Sequence, residues 1–241
     1  MFQLTEARHL FPSPRLALHE PNGLLAYGGD LSVPRLIAAY EHGVFPWYSE
    51  HDPILWWSPD PRTIITPDSL HISRSMQRFM RKSTFRITLN QAFSDVIVAC
   101  AAVHEQADRG VWIHPEMITA YTALHKHGRA HSIEVWQEQH LVGGMYGVSV
   151  GNIFCGESMF HRTTNASKAA LLTFAEHFFA AGGMCIDAQI SNTHTQSLGA
   201  QDVSRDHYLS LITTANGVNC PDFWTPRQLK APINECISGN C

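Results

Sequence analysis

With 241 residues, the chain is long enough to bury roughly 70–75% of its unfolded surface, so it needs no disulfide or metal to hold a core. Hydrophobic residues make up 44% of the chain and charged residues only 16%, which is typical of a globular protein and excludes disordered and collagen-like classes. A net charge of -4 excludes a general nucleic-acid coat, so RNA binding would require a local basic patch.

The N-terminus and the cysteines favour a protein that stays inside the cell. Glu6, Arg8 and His9 lie where a signal peptide needs an apolar core, and no later stretch reaches about 18 uncharged apolar residues. The six cysteines include no CxxC pair, so neither a zinc knuckle nor a disulfide framework is indicated. We expect reduced thiols, a cytoplasmic location and no membrane attachment.

Residues 1–62 differ in composition from the rest of the chain. Eight of the 13 prolines and three of the six tryptophans fall in this first quarter. Within it, Leu36, Ile37 and Tyr40 recur at helical spacing. The pattern predicts a small, loop-rich N-terminal domain over residues 1–62 with one short helix, followed by a larger domain over residues 63–241.

The larger domain shows strands and helices in alternation, which predicts an α/β (α+β) fold. The pattern predicts that three neighbouring strands form an antiparallel meander and that a helix then connects its last strand to another strand. The segment after Asn216 is polar and aperiodic, so its end is expected to be poorly ordered. The predicted elements are, in chain order, a strand at 63–65, a helix at 73–82, a strand at 85–89, helices beginning at 93 and 115, strands at 132–137, 141–150 and 153–160, a helix at 166–180 and a strand at 184–190.

An acidic residue lies inside an apolar strand. Glu157 is flanked by the apolar residues of the stretch 151–160, where a carboxylate costs several kcal/mol unless it meets a partner. Two interpretations are open. Glu157 either forms a buried ion pair, for example with Arg162 or Lys168, or is a functional acid.

Two polar residues alternate with apolar ones near the end of the strand at 184–190. The period of two places Asp187 and Gln189 on one face of that strand. They are either part of a site or caps of the loop at 191–199, and the local sequence supports the two interpretations equally.

A basic helix follows the domain boundary. Residues 62–86 contain six basic residues, Arg62 among them, and one acidic residue, a local charge of +5. Helical spacing gathers four of these residues on one side, which is either a solvated face or a polyanion-binding surface. The four are Arg74, Arg78, Arg81 and Lys82.

Other chemical signatures are weak or absent in the sequence. His125, His127 and His131 lack a carboxylate or thiol that would complete a metal site, so no metal is expected. Cys155 and Cys185 have apolar neighbours that would raise a thiol pKa, which argues against thiol catalysis. No phosphate-binding or dinucleotide glycine motif is present.

Nine segments of the chain carry a family resemblance when they are taken together: GLLAYGGDLS (23–32), GVFPWY (43–48), WWSPDPR (56–62), GVWIHPEM (110–117), HSIEVW (131–136), LVGGMYG (141–147), FCGESMF (154–160), NASK (165–168) and IDAQ (186–189). In this order they resemble the bacterial leucyl/phenylalanyl-tRNA–protein transferase family, from about residue 10 to about residue 215.

The resemblance implies a small N-terminal domain packed on a GNAT-like (acetyltransferase-like) domain. It also implies transfer of Leu or Phe, less well Met, from aminoacyl-tRNA to the N-terminal Arg or Lys of a protein, which marks the product for N-end-rule degradation. The expected partners are therefore charged tRNA and acceptor proteins, and the chain is expected to be a monomer. No cofactor is expected, because coenzyme A would need a Gly-rich pyrophosphate loop and the residues after Ser158 are MFHRTTN.

The resemblance also implies roles for individual residues. Asp187 would orient the reaction through Gln189, and Glu157 would attract a cationic amine, while Asn192 would fix the loop or the acceptor. Trp47 or Trp112 would stack on the terminal adenosine, and the acceptor stem would lie along the basic helix. The aminoacyl side chain would enter an apolar pocket formed by Met145, Phe154, Met159, Phe174 and Ile186.

Two other functions compete with this one. An acyl-CoA N-acyltransferase with a different pyrophosphate cradle would keep its activity after RNase treatment. A non-enzymatic RNA-binding module would use its carboxylates only structurally.

Overall fold

The computed structural model describes residues 1–5, 9–106, 113–218 and 221–230. The first part of the chain forms a four-stranded sheet with the strands β1 (Phe2–Leu4), β2 (Leu24–Gly28), β3 (Phe45–Pro46) and β4 (Leu55–Trp57). Their order is β1-β2-β4-β3, and the β1–β2 pair is parallel while the other pairs are antiparallel.

The second sheet has eight strands and contains the candidate site. They are β5 (Arg62–Ile65), β6 (Arg86–Leu89), β7 (Ala130–Gln137), β8 (His140–Val150), β9 (Ile153–His161), β10 (Cys185–Gln189), β11 (Gln201–Val203) and β12 (Arg227–Leu229). The order is β11-β5-β10-β9-β8-β7-β6-β12. The β9–β10 pair is parallel, and the other six pairs are antiparallel.

Helices cover both faces of the second sheet. They are α1 (Val33–Glu41), α2 (Arg74–Lys82), α3 (Phe93–Gln106), α4 (Pro115–Lys126), α5 (Ala166–Ala180), α6 (Thr193–Gln196) and α7 (Arg205–Ala215), with short 3-10 helices at Pro14–Leu16 and Pro221–Trp224. Among the described helices, none is long and apolar enough to cross a membrane.

Alternation along the strands divides the core into two clusters. On β8, for example, Met145 packs with α2 and α5, whereas Tyr146 packs with α1, α3, α4 and α7. The second of these clusters also contains Leu25 and Trp56 of the first sheet. The two sheets therefore share one continuous core.

The observed topology confirms the predicted α/β (α+β) class, and the larger sheet is mixed. Each strand and helix predicted between residues 63 and 190 is present, with small differences at the ends. The sequence analysis did not predict the four strands of the first sheet, which lie in the segment expected to be loop-rich, nor β11, α6 and α7. It also did not predict β12, which pairs antiparallel with β6. The segment after Asn216 thus contributes an edge strand, while the end of the chain, to which the prediction of poor order applies, lies outside the described residues. The predicted boundary at residue 62 falls on the first residue of β5, and the division into two domains stays a prediction.

The two parallel strands separate within the sheet. β9 and β10 pair over three positions and end at the pair Asp187 and Cys155. Just beyond, each strand has a bulge: Glu157 is the extra residue of β9 opposite β8, and Ala188 is the extra residue of β10 opposite β5. Because bulges bend strands and redirect side chains, the two strands diverge and leave a gap.

A glycine on the neighbouring strand makes room for this distortion. A Cβ atom on Gly147 would lie 2.2 Å from the Cys155 carbonyl oxygen and 2.5 Å from the Phe154 ring. A larger residue at 147 would push β9 away from β8 at the bulge. Gly147 therefore helps to place Glu157.

Candidate active site

A cavity of about 800 Å³ occupies the gap between β9 and β10. One part of its wall is apolar, and the other carries acid, amide and basic groups. The apolar part is formed by Ile65, Met145, Met159, Leu171 and Ile186. The polar part includes Glu157, His161, Lys168, Gln189, Asn192 and His194.

Glu157 is held by neutral hydrogen-bond donors. Its carboxyl oxygens accept hydrogen bonds from Gln189 Nε2 at 2.8 Å and from the Tyr121 hydroxyl at 3.3 Å. The Tyr121 hydroxyl is in turn hydrogen-bonded to that of Tyr40. Burial and the Glu157 charge raise the pKa of Tyr121 well above its ordinary value of 10, so its hydroxyl keeps its proton for this bond.

The environment makes Glu157 easier to protonate than an ordinary glutamate. Burial, with a smaller contribution from the Asp187 charge, raises the pKa of Glu157 from 4.5 to about 7. Hydrogen bonding by Tyr40, Tyr121 and Gln189 acts in the opposite direction. Its carboxyl group therefore changes charge near neutral pH, which suits a group that meets an amine.

The ion-pair interpretation of Glu157 is wrong for the described part of the chain. None of the ion pairs found there involves Glu157. Arg162 instead donates to the Leu141 carbonyl at 3.0 Å and lies over the Phe160 ring. Lys168 lines the cavity in which Glu157 is located.

Asp187 is fully buried and is paired with an arginine. Arg62 Nε and Nη2 donate to its two carboxylate oxygens at 2.8 and 2.6 Å, and the Tyr208 hydroxyl donates to Oδ2 at 2.8 Å. Asp187 Oδ1 also accepts from the backbone N–H of Gln189 at 2.9 Å. Asp187 and Gln189 therefore belong to one hydrogen-bonded unit, although the bulge at Ala188 interrupts the regular alternation expected for this strand.

Three of the predicted pocket residues lie on the cavity wall and two lie behind it. Met145, Met159 and Ile186 line the cavity. Phe154 and Phe174 do not line it: both are fully buried, with ring centroids 4.5 Å apart, in the core cluster next to α5. They support the wall and do not form its surface, which corrects the predicted lining.

The remaining predicted contacts are placed at the rim or elsewhere. Trp47 lines the cavity and is 45% exposed, so one face is available to a ligand. Asn192 lines the cavity too, and its side chain caps α6 by accepting from the Thr195 backbone N–H at 2.9 Å. Trp112 lies outside the described residues.

The structure confirms that α2 has an exposed basic face. Fewer residues belong to this face than the count of basic residues over 62–86 suggested. Its four basic side chains are exposed and form none of the ion pairs found in the described residues, while Met76 and Met80 are buried beneath them. Arg62 does not belong to this face, because it is buried against Asp187. Arg86 is half-buried over the Trp136 ring. The exposed residues are Arg74, Arg78, Arg81 and Lys82.

The sequence reading missed the partners that hold the acid and amide groups. Arg62, Tyr40, Tyr121 and Tyr208 come from four different elements. One signal was available: Arg62 begins an apolar strand, and a buried positive charge requires a buried negative one such as Asp187. The tyrosines had no comparable signal, since buried aromatic residues are common in any core.

A mixed sheet whose parallel strands diverge around an apolar cavity, with a carboxyl and a carboxamide at its polar end, suits an enzyme of the acyltransferase class. The family model described as "Leucyl/phenylalanyl-tRNA protein transferase" matches residues 64–213, and the model of that family's N-terminal domain matches residues 29–60. The chain belongs to the leucyl/phenylalanyl-tRNA–protein transferase family.

Relatives cover nearly the whole chain. A leucyl/phenylalanyl-tRNA–protein transferase from Pectobacterium carotovorum is 55% identical over 96% of this chain and 98% of its own length. One from Escherichia coli O157:H7 is 54% identical over 96% of this chain and 98% of its own length. Among solved structures, a conserved protein of unknown function from Bacteroides thetaiotaomicron matches 60% of this chain and 56% of its own, at 15% identity and a TM-score of 0.41.

Proposed function

We propose that the protein transfers Leu or Phe, and less well Met, from aminoacyl-tRNA to the N-terminal Arg or Lys of acceptor proteins, marking them for N-end-rule degradation. It acts in the cytoplasm as a monomer and uses no cofactor. The observation that carries this proposal is the cavity, since its apolar wall ends directly at Glu157 and Gln189.

The apolar wall supports the choice of amino acid. Flexible thioethers at Met145 and Met159 can repack around Leu, Phe or Met side chains. A slot that is narrow at the β-carbon rejects Val and Ile. Such a pocket discriminates by only about 10–200-fold per methylene, which fits an enzyme that accepts several unbranched-β amino acids.

The polar end supports the reaction. The attacking α-amine forms a C–N bond to the ester carbonyl carbon, the bond from that carbon to the ribose oxygen breaks, and one amine proton ends on that oxygen. Because the ester is already activated and an α-amine has a pKa of about 7.7–8.0, alignment can supply most of the acceleration.

The residues at the polar end take different roles in this step. Glu157 binds the cationic α-amine of the aminoacyl group through its carboxylate, and Gln189 lies beside the reacting ester. A carboxamide is not a base, so Gln189 orients the ester and does not take the proton. Asp187 orients Gln189 through the bond to its backbone N–H.

The tRNA lies along the basic face of α2 and reaches the cavity at Trp47. Exposed arginines suit phosphate contacts, which position an RNA without reading its sequence. The terminal adenosine stacks on Trp47 or Trp112, and the half-exposed ring of Trp47 at the rim is suited to this. Lys168 also lines the cavity and adds positive charge near the terminal phosphates.

One transfer assay tests the proposal. The protein is given Leu-tRNA and labelled peptides that begin with Arg or with Ala, with and without RNase. We expect transfer to the Arg peptide alone and its abolition by RNase. Activity that survives RNase would favour an acyl-CoA transferase, and equal transfer to the Ala peptide would defeat the proposed acceptor.

A pair of variants separates catalysis from RNA binding. Gln189→Ala should lower the rate of transfer at least tenfold and leave tRNA affinity unchanged. Gln196→Ala is the matched control, because Gln196 is an exposed amide that donates to the Ser191 hydroxyl at 2.8 Å. If Gln189→Ala kept full activity, the carboxamide would have no role in the reaction.

A further inference from the structure

Arg62 is the most completely bound arginine of the described residues. It is 1% exposed, and each of its three guanidinium nitrogens donates a hydrogen bond, two of them to Asp187 and the third to the Gly43 carbonyl at 3.2 Å. The guanidinium carbon lies 4.9 Å from the Phe45 ring centroid and 4.4 Å from that of Tyr208. Packing between two aromatic faces fixes the plane of the guanidinium.

The Asp187 carboxylate is filled to its hydrogen-bonding capacity. Oδ1 accepts from Arg62 and from the Gln189 backbone, and Oδ2 accepts from Arg62 and from the Tyr208 hydroxyl. A carboxylate offers about four acceptor positions, and all four are in use. Asp187 has no position left for a substrate proton, so its contribution to the reaction is geometric.

The geometry that Asp187 enforces is that of Gln189. Gln189 has a φ of 59°, in the left-handed region that a non-glycine residue adopts only when its surroundings require it. The bond from its N–H to Asp187 lies directly at this residue. The left-handed backbone places the carboxamide against Glu157 across the gap.

We propose that Arg62 is a positioning residue for the transfer reaction: it fixes the Asp187 carboxylate, and Asp187 fixes the backbone that aims the Gln189 carboxamide at Glu157. The inference rests on the proposed function and assigns to Arg62 a role beyond charge neutralisation. A lysine at this position would preserve the charge but could not donate to both oxygens in one plane.

The test compares Arg62→Lys with Arg35→Lys. Arg35 is the matched control, because it is also fully buried and paired with a carboxylate, Asp30, at 3.3 Å, but Asp30 does not line the cavity, whereas Asp187 does. Steady-state transfer of Leu from Leu-tRNA to an Arg peptide is measured below the melting temperature of each variant. We expect Arg62→Lys to lower kcat at least tenfold with both KM values and the tRNA Kd within about twofold of wild type, and Arg35→Lys to leave kcat within about twofold.

Any other result with a folded Arg62→Lys protein overturns the inference. A folded Arg62→Lys protein with wild-type kcat, or one in which only KM changes, would show that Arg62 serves stability or binding alone. If Arg62→Lys does not fold, the Tyr208→Phe variant tests the inference instead, because this substitution removes one hydrogen bond to Asp187 without changing the charge. We expect at least a threefold lower kcat at constant KM, and an unchanged kcat would refute the inference. A wild-type protein that transfers nothing would refute the proposed function itself.

Discussion

Gln189 and Glu157 come from adjacent strands that have stopped pairing, and their side chains restore the connection by a hydrogen bond of 2.8 Å from Nε2 to Oε1. Both residues line the cavity, and each is supported from a different side. Gln189 depends on the Asp187 ion pair, while Glu157 depends on tyrosines from α1 and α4. The site therefore joins both parts of the chain.

The acid limb of the pH profile of kcat/KM, where kcat/KM rises with pH, should reflect the ionisation of Glu157. Because its pKa is about 7 and its ionised form binds the cationic amine, kcat/KM should rise with pH through about 7. Glu157→Gln should remove this limb and lower kcat/KM at pH 8 by at least tenfold. The limb from the acceptor α-amine, at about 7.7–8.0, should remain. A Glu157→Gln profile with the same limb near pH 7 would assign it to another group.

The tyrosine hydroxyls should set the position of that limb. Hydrogen bonding by Tyr121 and Tyr40 lowers the pKa of Glu157, so Tyr121→Phe or Tyr40→Phe should move the limb to higher pH, by about half a pH unit to one. Tyr146→Phe is the control, because the Tyr146 hydroxyl is buried and has no hydrogen-bond partner in the described residues. Equal shifts in all three variants would remove the special role of the Tyr40–Tyr121 pair.

Stability should also depend on the protonation of Glu157. The folded protein binds this proton more tightly than the unfolded chain, since burial raises the pKa from 4.5 to about 7. The resulting stabilisation is fully present below pH 4.5 and is lost as the pH rises to about 7. Chemical denaturation should be used to measure the free energy of unfolding of wild type and Glu157→Gln over this pH range. Wild type should lose at most about 2 kcal/mol relative to the variant, because the Glu157 side chain is partly open to the cavity. Parallel curves would contradict the raised pKa.

The sequence was most informative where periodicity or a strong local signal determines the structure. The helix at Ala166–Ala180 was predicted with its observed ends, because a run of helix formers lies between Asn165 and the glycines after Ala181. Glu157 and Asp187 were recognised because charges in apolar strands need an explanation. Both lie at the cavity.

Contacts between residues far apart along the chain could not be predicted from the sequence. Arg62 and Asp187 are 125 positions apart. Because a count of nearby charges does not include Asp187, Arg62 was counted with the basic residues of the surface. Phe154 and Phe174 have the apolar pattern of buried residues, and that pattern does not distinguish a residue on a cavity wall from one behind it. The bulges at Glu157 and Ala188 depend on how neighbouring strands pair, which alternation in one strand cannot reveal.

The placement of the apolar wall gives a selectivity test. Met159→Ala enlarges the cavity, so kcat/KM for Leu-tRNA should fall about tenfold while the Phe-to-Leu ratio rises. Phe154→Leu is the control, since Phe154 lies behind the wall: it should lower the melting temperature and keep the ratio within about twofold. A change of ratio in Phe154→Leu as large as in Met159→Ala would return Phe154 to the substrate pocket.

The basic face of α2 should determine how tRNA binding responds to salt. Each phosphate contact releases counterions, so the slope of log K against log salt concentration is proportional to the number of contacts, at about -0.7 to -0.9 per contact. Reversing Arg78 and Arg81 to Glu should weaken tRNA binding and flatten this slope by about 1.4–1.8, whereas the same charge change at the exposed residues Arg15 and Lys126 should alter it little. Because phosphate contacts carry no sequence information, the loss should be similar for Leu- and Phe-accepting tRNAs. An unchanged slope in the Arg78 and Arg81 variant would place the RNA on another surface of the protein.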